Sequence, residues 1–188
     1  MRLTVFDLTA VSAGILAISA CSPADQLSAQ TEAAAPSQDL LDSDIESASM
    51  DAHPEARPYQ ESGGAMADVD AALVRAAESG KRVIVVMGAN WCHDSRGLAG
   101  WFATPRFSNM LGGKYETVYV NVGMPQEGEG RNIEIAQRFG IESQENTPMV
   151  LVLSADGTLL NSEEDAKSWR NAASRSEDAI FTYFDGLE

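Results

Sequence analysis

Val83-Ile84-Val85-Val86-Met87-Gly88-Ala89-Asn90-Trp91-Cys92-His93-Asp94-Ser95-Arg96 is the stretch from which the rest of the chain can be read. Its apolar, mostly β-branched start predicts a buried strand. Gly88 to Trp91 makes a short loop, and the residues from Cys92 onward predict a helix. A buried strand that delivers a cysteine to a helix N-terminus sets the sulfur among unpaired N–H groups at the positive end of the helix dipole. That environment favours a thiolate.

Before the strand, Asp68 is placed to cap a helix with Val69, Ala72, Leu73, Ala76 and Ala77 on one apolar stripe, and Gly80 ends it in the left-handed conformation. The strand itself is expected over Lys81 to Met87. After the cysteine the helix carries Leu98, Trp101 and Phe102 toward the core. Pro105 interrupts it and opens a short helix through Met110, with Gly112-Gly113 as a stop. Tyr115 to Val122 alternates, with Val118, Val120 and Val122 on one face, and predicts a strand. Gly123 to Gly130 reads as a loop carrying Glu127 and Glu129. Arg131 to Phe139 reads as a helix stopped by Gly140. Thr147-Pro148 leads into an apolar strand, Met149 to Leu153. The turn Ala155-Asp156-Gly157-Thr158 folds Thr158 to Asn161 back as a hairpin. Glu163 to Arg175 reads as loop or weak helix, and Ser176 caps a last helix ending at Gly186. The order helix, strand, helix, strand, helix, strand, strand, helix implies a βαβ crossover followed by a hairpin. The expected class is α/β, a central mixed sheet flanked by helices.

Trp91-Cys92 at the strand-to-helix turn, Thr147-Pro148 before a later strand, and this strand order together resemble the thioredoxin-like family over residues 67–188. The usual motif there is Trp-Cys-x-x-Cys; here it reads Cys92-His93-Asp94-Ser95. The resemblance implies a cis Thr147–Pro148 bond whose loop faces Cys92 and holds an extended substrate segment beside the sulfur. It also implies Cys92 as nucleophile, with Trp91, Thr147 and Pro148 on the substrate side. Serine cannot resolve a mixed disulfide, so the expected chemistry is monothiol. Cys92 forms a mixed disulfide and another thiol releases it, as in Cys-x-x-Ser members of the superfamily. Ser95 is placed to donate a hydrogen bond to the thiolate.

The neighbouring groups carry two readings each. His93, when protonated, reinforces a thiolate, or is a solvated loop residue. Asp94 opposes the thiolate or caps the helix. Arg96 steers an anionic partner or is a surface charge. Glu127 and Glu129 border the groove or solvate their loop. Met87, Met124 and Met149 suggest soft-metal binding, as in copper delivery, or plain apolar filling, which is favoured because no second cysteine or spaced histidine completes a site. No metal and no cofactor are expected.

The N-terminus is different material. Met1 to Ala20 reads as an export signal, with Arg2 in the n-region and a mostly apolar or small stretch from Leu8 to Ile18 that is short for a spanning helix. Leu16-Ala17-Ile18-Ser19-Ala20-Cys21 resembles a bacterial lipobox, which implies lipid on Cys21. Ser22 after the cysteine then points to the outer membrane, facing the periplasm. Residues 21–66 read as a flexible acidic linker, since Pro23 to Met66 carries nine acids against one base, Arg57. His53 has no ligand-type neighbour in sequence, which argues against a metal role. The whole chain of 188 residues has a formal charge of −15, a poor match to nucleic acid. Its two cysteines, Cys21 and Cys92, exclude a disulfide framework. The expected partners are protein thiols or disulfides or a small thiol, with the membrane reached through Cys21. The rival expectation is a redox-inactive binding or scaffold module that uses the proline groove.

Overall fold

The apolar run becomes the central strand of the domain. In the computed structural model, which describes residues 53–187, β1 (Arg82–Gly88) pairs in parallel with β2 (Tyr115–Asn121) and antiparallel with β5 (Met149–Leu153), giving the order β2-β1-β5. Val83 to Met87 are fully buried because both faces of the strand are covered. Val83, Val85 and Met87 face an aliphatic layer with α1 (Ala65–Ser79) and α4 (Ile133–Arg138). Ile84 and Val86 face an aromatic layer with α2 (His93–Ala103), α3 (Pro105–Lys114) and α6 (Glu177–Gly186). There Phe102 and Tyr115 pack edge-on against Phe184, and buried Trp169 stacks on the same ring. The expected mixed sheet flanked by helices is the architecture found.

Several local expectations give way to packing. α1 starts at Ala65 with Gly64 as its N-cap, so Asp68 is not a cap; it sits in the first turn, where its charge still suits the dipole. Gly80 does end α1 in the left-handed region, at φ 72°. α3 runs through Gly112 and Gly113 to Lys114, because buried Phe107 and Leu111 hold its inner face against the aromatic layer. Gly123 to Gly130 is more than a loop: β3 (Gly123–Met124) and β4 (Glu129–Gly130) form a small hairpin. Residues 163–175 are ordered as α5 (Glu163–Ser168), capped by Ser162, and a 3-10 turn over Trp169–Ser174.

The expected second strand of the hairpin after β5 is absent among the described residues. Only a Leu153–Leu159 bridge forms. Buried Asn161 takes its place: its Oδ1 accepts from Val152 N–H and its Nδ2 donates to the Val150 carbonyl, each at 2.9 Å. A side-chain amide thus satisfies the edge of β5.

The largest departure is at residues 53–62, which the sequence assigns to a flexible linker. They lie as a strap along α2. Ala56 N–H donates to the Arg96 carbonyl at 3.1 Å, and Tyr59 is only 1% exposed. A Cβ at Gly100 would stand 2.0 Å from the Pro54 carbonyl oxygen, and one at Gly97 would touch the His53 ring at 3.0 Å. Gly97 and Gly100, one turn apart, are what let the strap approach. The export segment, Cys21 and the linker before residue 53 lie outside the described residues. None of the described helices is long and apolar enough to cross a membrane.

Candidate active site

Each element of the site is held by backbone. β1 ends at Gly88, and the next turn places Cys92 at the N-cap of α2 in an extended conformation, so that Arg96 N–H bonds to the Cys92 carbonyl. The Thr147–Pro148 bond is cis. Its loop faces the cysteine: Cys92 Sγ donates to the Thr147 carbonyl at 3.2 Å. Gln144 braces that loop by donating to the carbonyls of Met87 and Asn146, both at 3.0 Å. Cys92 is 7% exposed. The sulfur thus points at the carbonyl just before the proline.

Ser95 has no exposed surface, and its hydroxyl is committed away from the sulfur. Ser95 Oγ accepts from Ala89 N–H at 3.3 Å and lies 3.2 Å from Thr147 Oγ1. Thr147 Oγ1 in turn reaches the Met87 carbonyl at 3.5 Å. A carbonyl only accepts, so the threonine proton goes to Met87 and the serine proton to Thr147. The expected hydrogen bond from Ser95 to the thiolate is therefore not made. Ser95 instead ties α2, β1 and the proline loop together.

The strap completes this frame. Tyr59 Oη donates to the Ser95 carbonyl at 3.1 Å, and burial pushes the phenol well above its ordinary range, so it stays a neutral donor. Asn90 pairs with the Tyr59 backbone in both directions, accepting from its N–H at 3.2 Å and donating to its carbonyl at 2.9 Å. A Cβ at Gly88 would collide at 2.7 Å with both Ser95 Oγ and the Tyr59 ring, so only glycine fits. Tyr59 and Asn90 escape a motif reading. The signals for them are the lone aromatic residue of the linker and two glycines one turn apart on α2.

Outside the frame, Trp91 is 43% exposed and anchors its indole N–H on the Gly123 carbonyl at 3.0 Å. Beside it runs a shallow groove of about 150 Å³ lined by Trp91, Asn121, Gly123, Met124, Glu129 and Arg131, with Glu61 across its rim. Glu129 borders this groove, whereas Glu127 is exposed on a 3-10 turn. Met87 and Met149 are core, while Met124 is exposed. Asp94 does not cap α2 and pairs with no cation among the described residues; it accepts from Ala173 N–H at 2.9 Å. His93 turns to the strap: its Nδ1 lies 3.2 Å from Glu55 Oε1 and its Nε2 2.9 Å from His53 Nε2. Arg96 donates from Nε to Glu55 at 2.9 Å and from Nη1 to the Trp91 carbonyl at 2.8 Å, so it braces the loop as well as the strap. His53, Glu55 and His93 are the described group that could hold a metal ion. The fold supplies His53 with the partners its sequence neighbourhood lacks.

Known proteins point the same way. Residues 64–155 match the family described as thioredoxin-like. The crystal structure of a disulphide isomerase from Xylella fastidiosa Temecula1 superposes with a TM-score of 0.62 at 28% sequence identity, covering 70% of this chain and 97% of that one. No curated protein matches the sequence. Family match, strand order and a cysteine facing a cis-proline loop give one conclusion: the chain carries a domain of the thioredoxin-like fold, with Cys92 as the free cysteine among the described residues.

Proposed function

We propose that the protein is a membrane-anchored periplasmic thioredoxin-like protein that performs monothiol thiol–disulfide exchange with protein partners through Cys92. The observation that carries this reading is the placement of Cys92 at the start of α2 with its sulfur 3.2 Å from the carbonyl of the cis Thr147–Pro148 bond. An extended partner segment laid along that loop brings its own disulfide to the sulfur. The likeness to a disulphide isomerase supports disulfide-bonded proteins as the substrate class.

Exchange begins when Cys92 gives up its thiol proton and the thiolate attacks one sulfur of a partner disulfide. A Cys92–partner S–S bond forms, the partner's S–S bond breaks, and the other partner sulfur leaves as a thiolate. Ser95 has no sulfur with which to attack the new bond. A second thiol, from the partner or a small molecule, attacks it and regenerates Cys92. Trp91 and the groove beside it flank the approach, and Ser95 keeps the loop and the helix in register.

Capture of mixed disulfides in cells tests this. The wild-type chain should carry covalently attached proteins that reductant releases, and Cys92→Ser should carry none. An equal yield from both chains contradicts the exchange role. Anchoring is tested separately: Cys21→Ser should leave the protein unlipidated and free of the membrane, because stable anchoring needs the lipid chains. Retention on membranes in that variant contradicts the lipobox reading.

One observation favours a second reading, a binding module without redox turnover. Cys92 is 7% exposed, and its thiol is already bonded to Thr147. Alkylation distinguishes the two. A rate well above that of free cysteine supports exchange, and an inert thiol supports the binding module.

A further inference from the structure

We propose that His53 and His93 form a transition-metal site that fastens the strap to the start of α2, with Glu55 as the carboxylate that orients His93. The site stands apart from the thiol chemistry, since neither ring lines the groove at Trp91 and neither bonds to Cys92.

His53 Nδ1 lies 3.3 Å from the Pro54 carbonyl oxygen, which can only accept. His93 Nδ1 lies 3.2 Å from Glu55 Oε1. Arg96 Nε donates to the other oxygen of this carboxyl. Each ring thus turns its Nδ1 to an oxygen and its Nε2 to the other ring. The two Nε2 atoms point at each other across 2.9 Å. At that distance one shared proton joins the rings as N–H···N, and a metal ion that displaces it would take both nitrogens as ligands.

The surroundings match what a bound ion requires. A ligating imidazole ordinarily donates its other N–H to a carboxylate or a backbone carbonyl, which fixes its tautomer and orientation. Here one Nδ1 faces a carboxylate and the other a backbone carbonyl. Glu55 is itself fixed by Arg96 Nε at 2.9 Å. Tetrahedral zinc with bonds of about 2.0–2.1 Å separates two nitrogens by about 3.3 Å, so the rings need to open by only a few tenths of an ångström. His93 is exposed and His53 half-buried, which leaves room for water to complete the shell. Imidazole ligands suit zinc, copper or nickel over calcium or magnesium. An ion here would cross-link residue 53 to residue 93 beside the reactive cysteine.

The test is calorimetric titration of the full, tag-free chain with Zn²⁺, which cannot oxidise the thiol. Cys21→Ser and Cys92→Ser are built in so that no sulfur competes. One zinc per chain is expected. His53→Ala and His93→Ala should each weaken binding at least tenfold, and Glu55→Gln, which keeps both rings, by about 10–100-fold. Zinc should also raise the melting temperature of the parent and not of the histidine variants. No binding up to millimolar zinc overturns the proposal. So does binding that persists unchanged in either histidine variant, since the acidic linker would then be the ligand.

Discussion

The first turn of α2 has two sides built on different principles. Inward, Ser95, Thr147 and Met87 form a closed line of hydrogen bonds with Tyr59 covering it, and every group there is buried. Outward, His93, Arg96, Glu55 and His53 meet near solvent through side-chain pairs. Cys92 sits on the seam. A buried polar group that loses its partner costs about 1–3 kcal/mol, whereas an exposed ion pair contributes about 0–1 kcal/mol. The inner side therefore fixes where the sulfur stands, and the outer side ties down the strap at small cost. Position can be rigid on one side of the cysteine while attachment stays adjustable on the other.

The comparison breaks most visibly at Tyr59. Tyr59→Ala removes a fully packed ring and the donor to the Ser95 carbonyl, and should destabilise the domain by about 3–5 kcal/mol in chemical denaturation. A loss below about 1 kcal/mol would mean that the strap does not belong to the domain. Ser95→Ala comes next. It strands the Ala89 N–H without an acceptor and should cost about 1–3 kcal/mol, while Cys92 alkylation changes little because the hydroxyl makes its hydrogen bonds with Ala89 and Thr147. A steep fall in reactivity in that variant would return Ser95 to a direct role at the thiolate.

The smallest effect concerns exposed pairs, for which Glu116 sets the scale. Its hydrogen bond from Arg75, with Lys81 adding to it, lowers the Glu116 carboxyl below its usual value against a smaller opposing effect of burial. A lowered folded value means stability present above the unfolded carboxylate range and lost as pH falls through the folded value. Glu116→Gln should thus cost about 0.5 kcal/mol at neutral pH, and the gap to the parent should close in acid. A gap that stays constant into strong acid would show that packing, not charge, is lost.

Local pattern made part of the molecule legible in the sequence. Five apolar, mostly β-branched residues in a row pointed to a buried strand, alternating valines to β2, and the family resemblance carried by Trp91-Cys92 and Thr147-Pro148 to the two loops that meet at the sulfur. The rest depends on partners far along the chain. Asn161 looks like a strand residue after a turn, yet its amide pairs across β5 and ends the sheet there. Gly112-Gly113 looks like a helix stop, yet packing carries α3 through it. Residues 53–62 have a linker's composition, and nothing local says that Tyr59 finds a cavity bounded by Gly88. The motif singles out Ser95, but its partners are set by Thr147, fifty-two residues away. Its hydroxyl direction is not readable from spacing.

Intact mass measurement after reaction with oxidised glutathione reads exchange at Cys92 with no partner protein present. The Cys21→Ser chain has one thiol, Cys92, so any adduct is unambiguous. Exchange at a single unresolved thiol predicts one glutathione per chain, stable on standing and released only when a second thiol is added. Ser95→Cys should lose the adduct unaided and end with an internal disulfide. A parent chain that takes up no glutathione, or that sheds it with no second thiol present, would contradict monothiol exchange at Cys92.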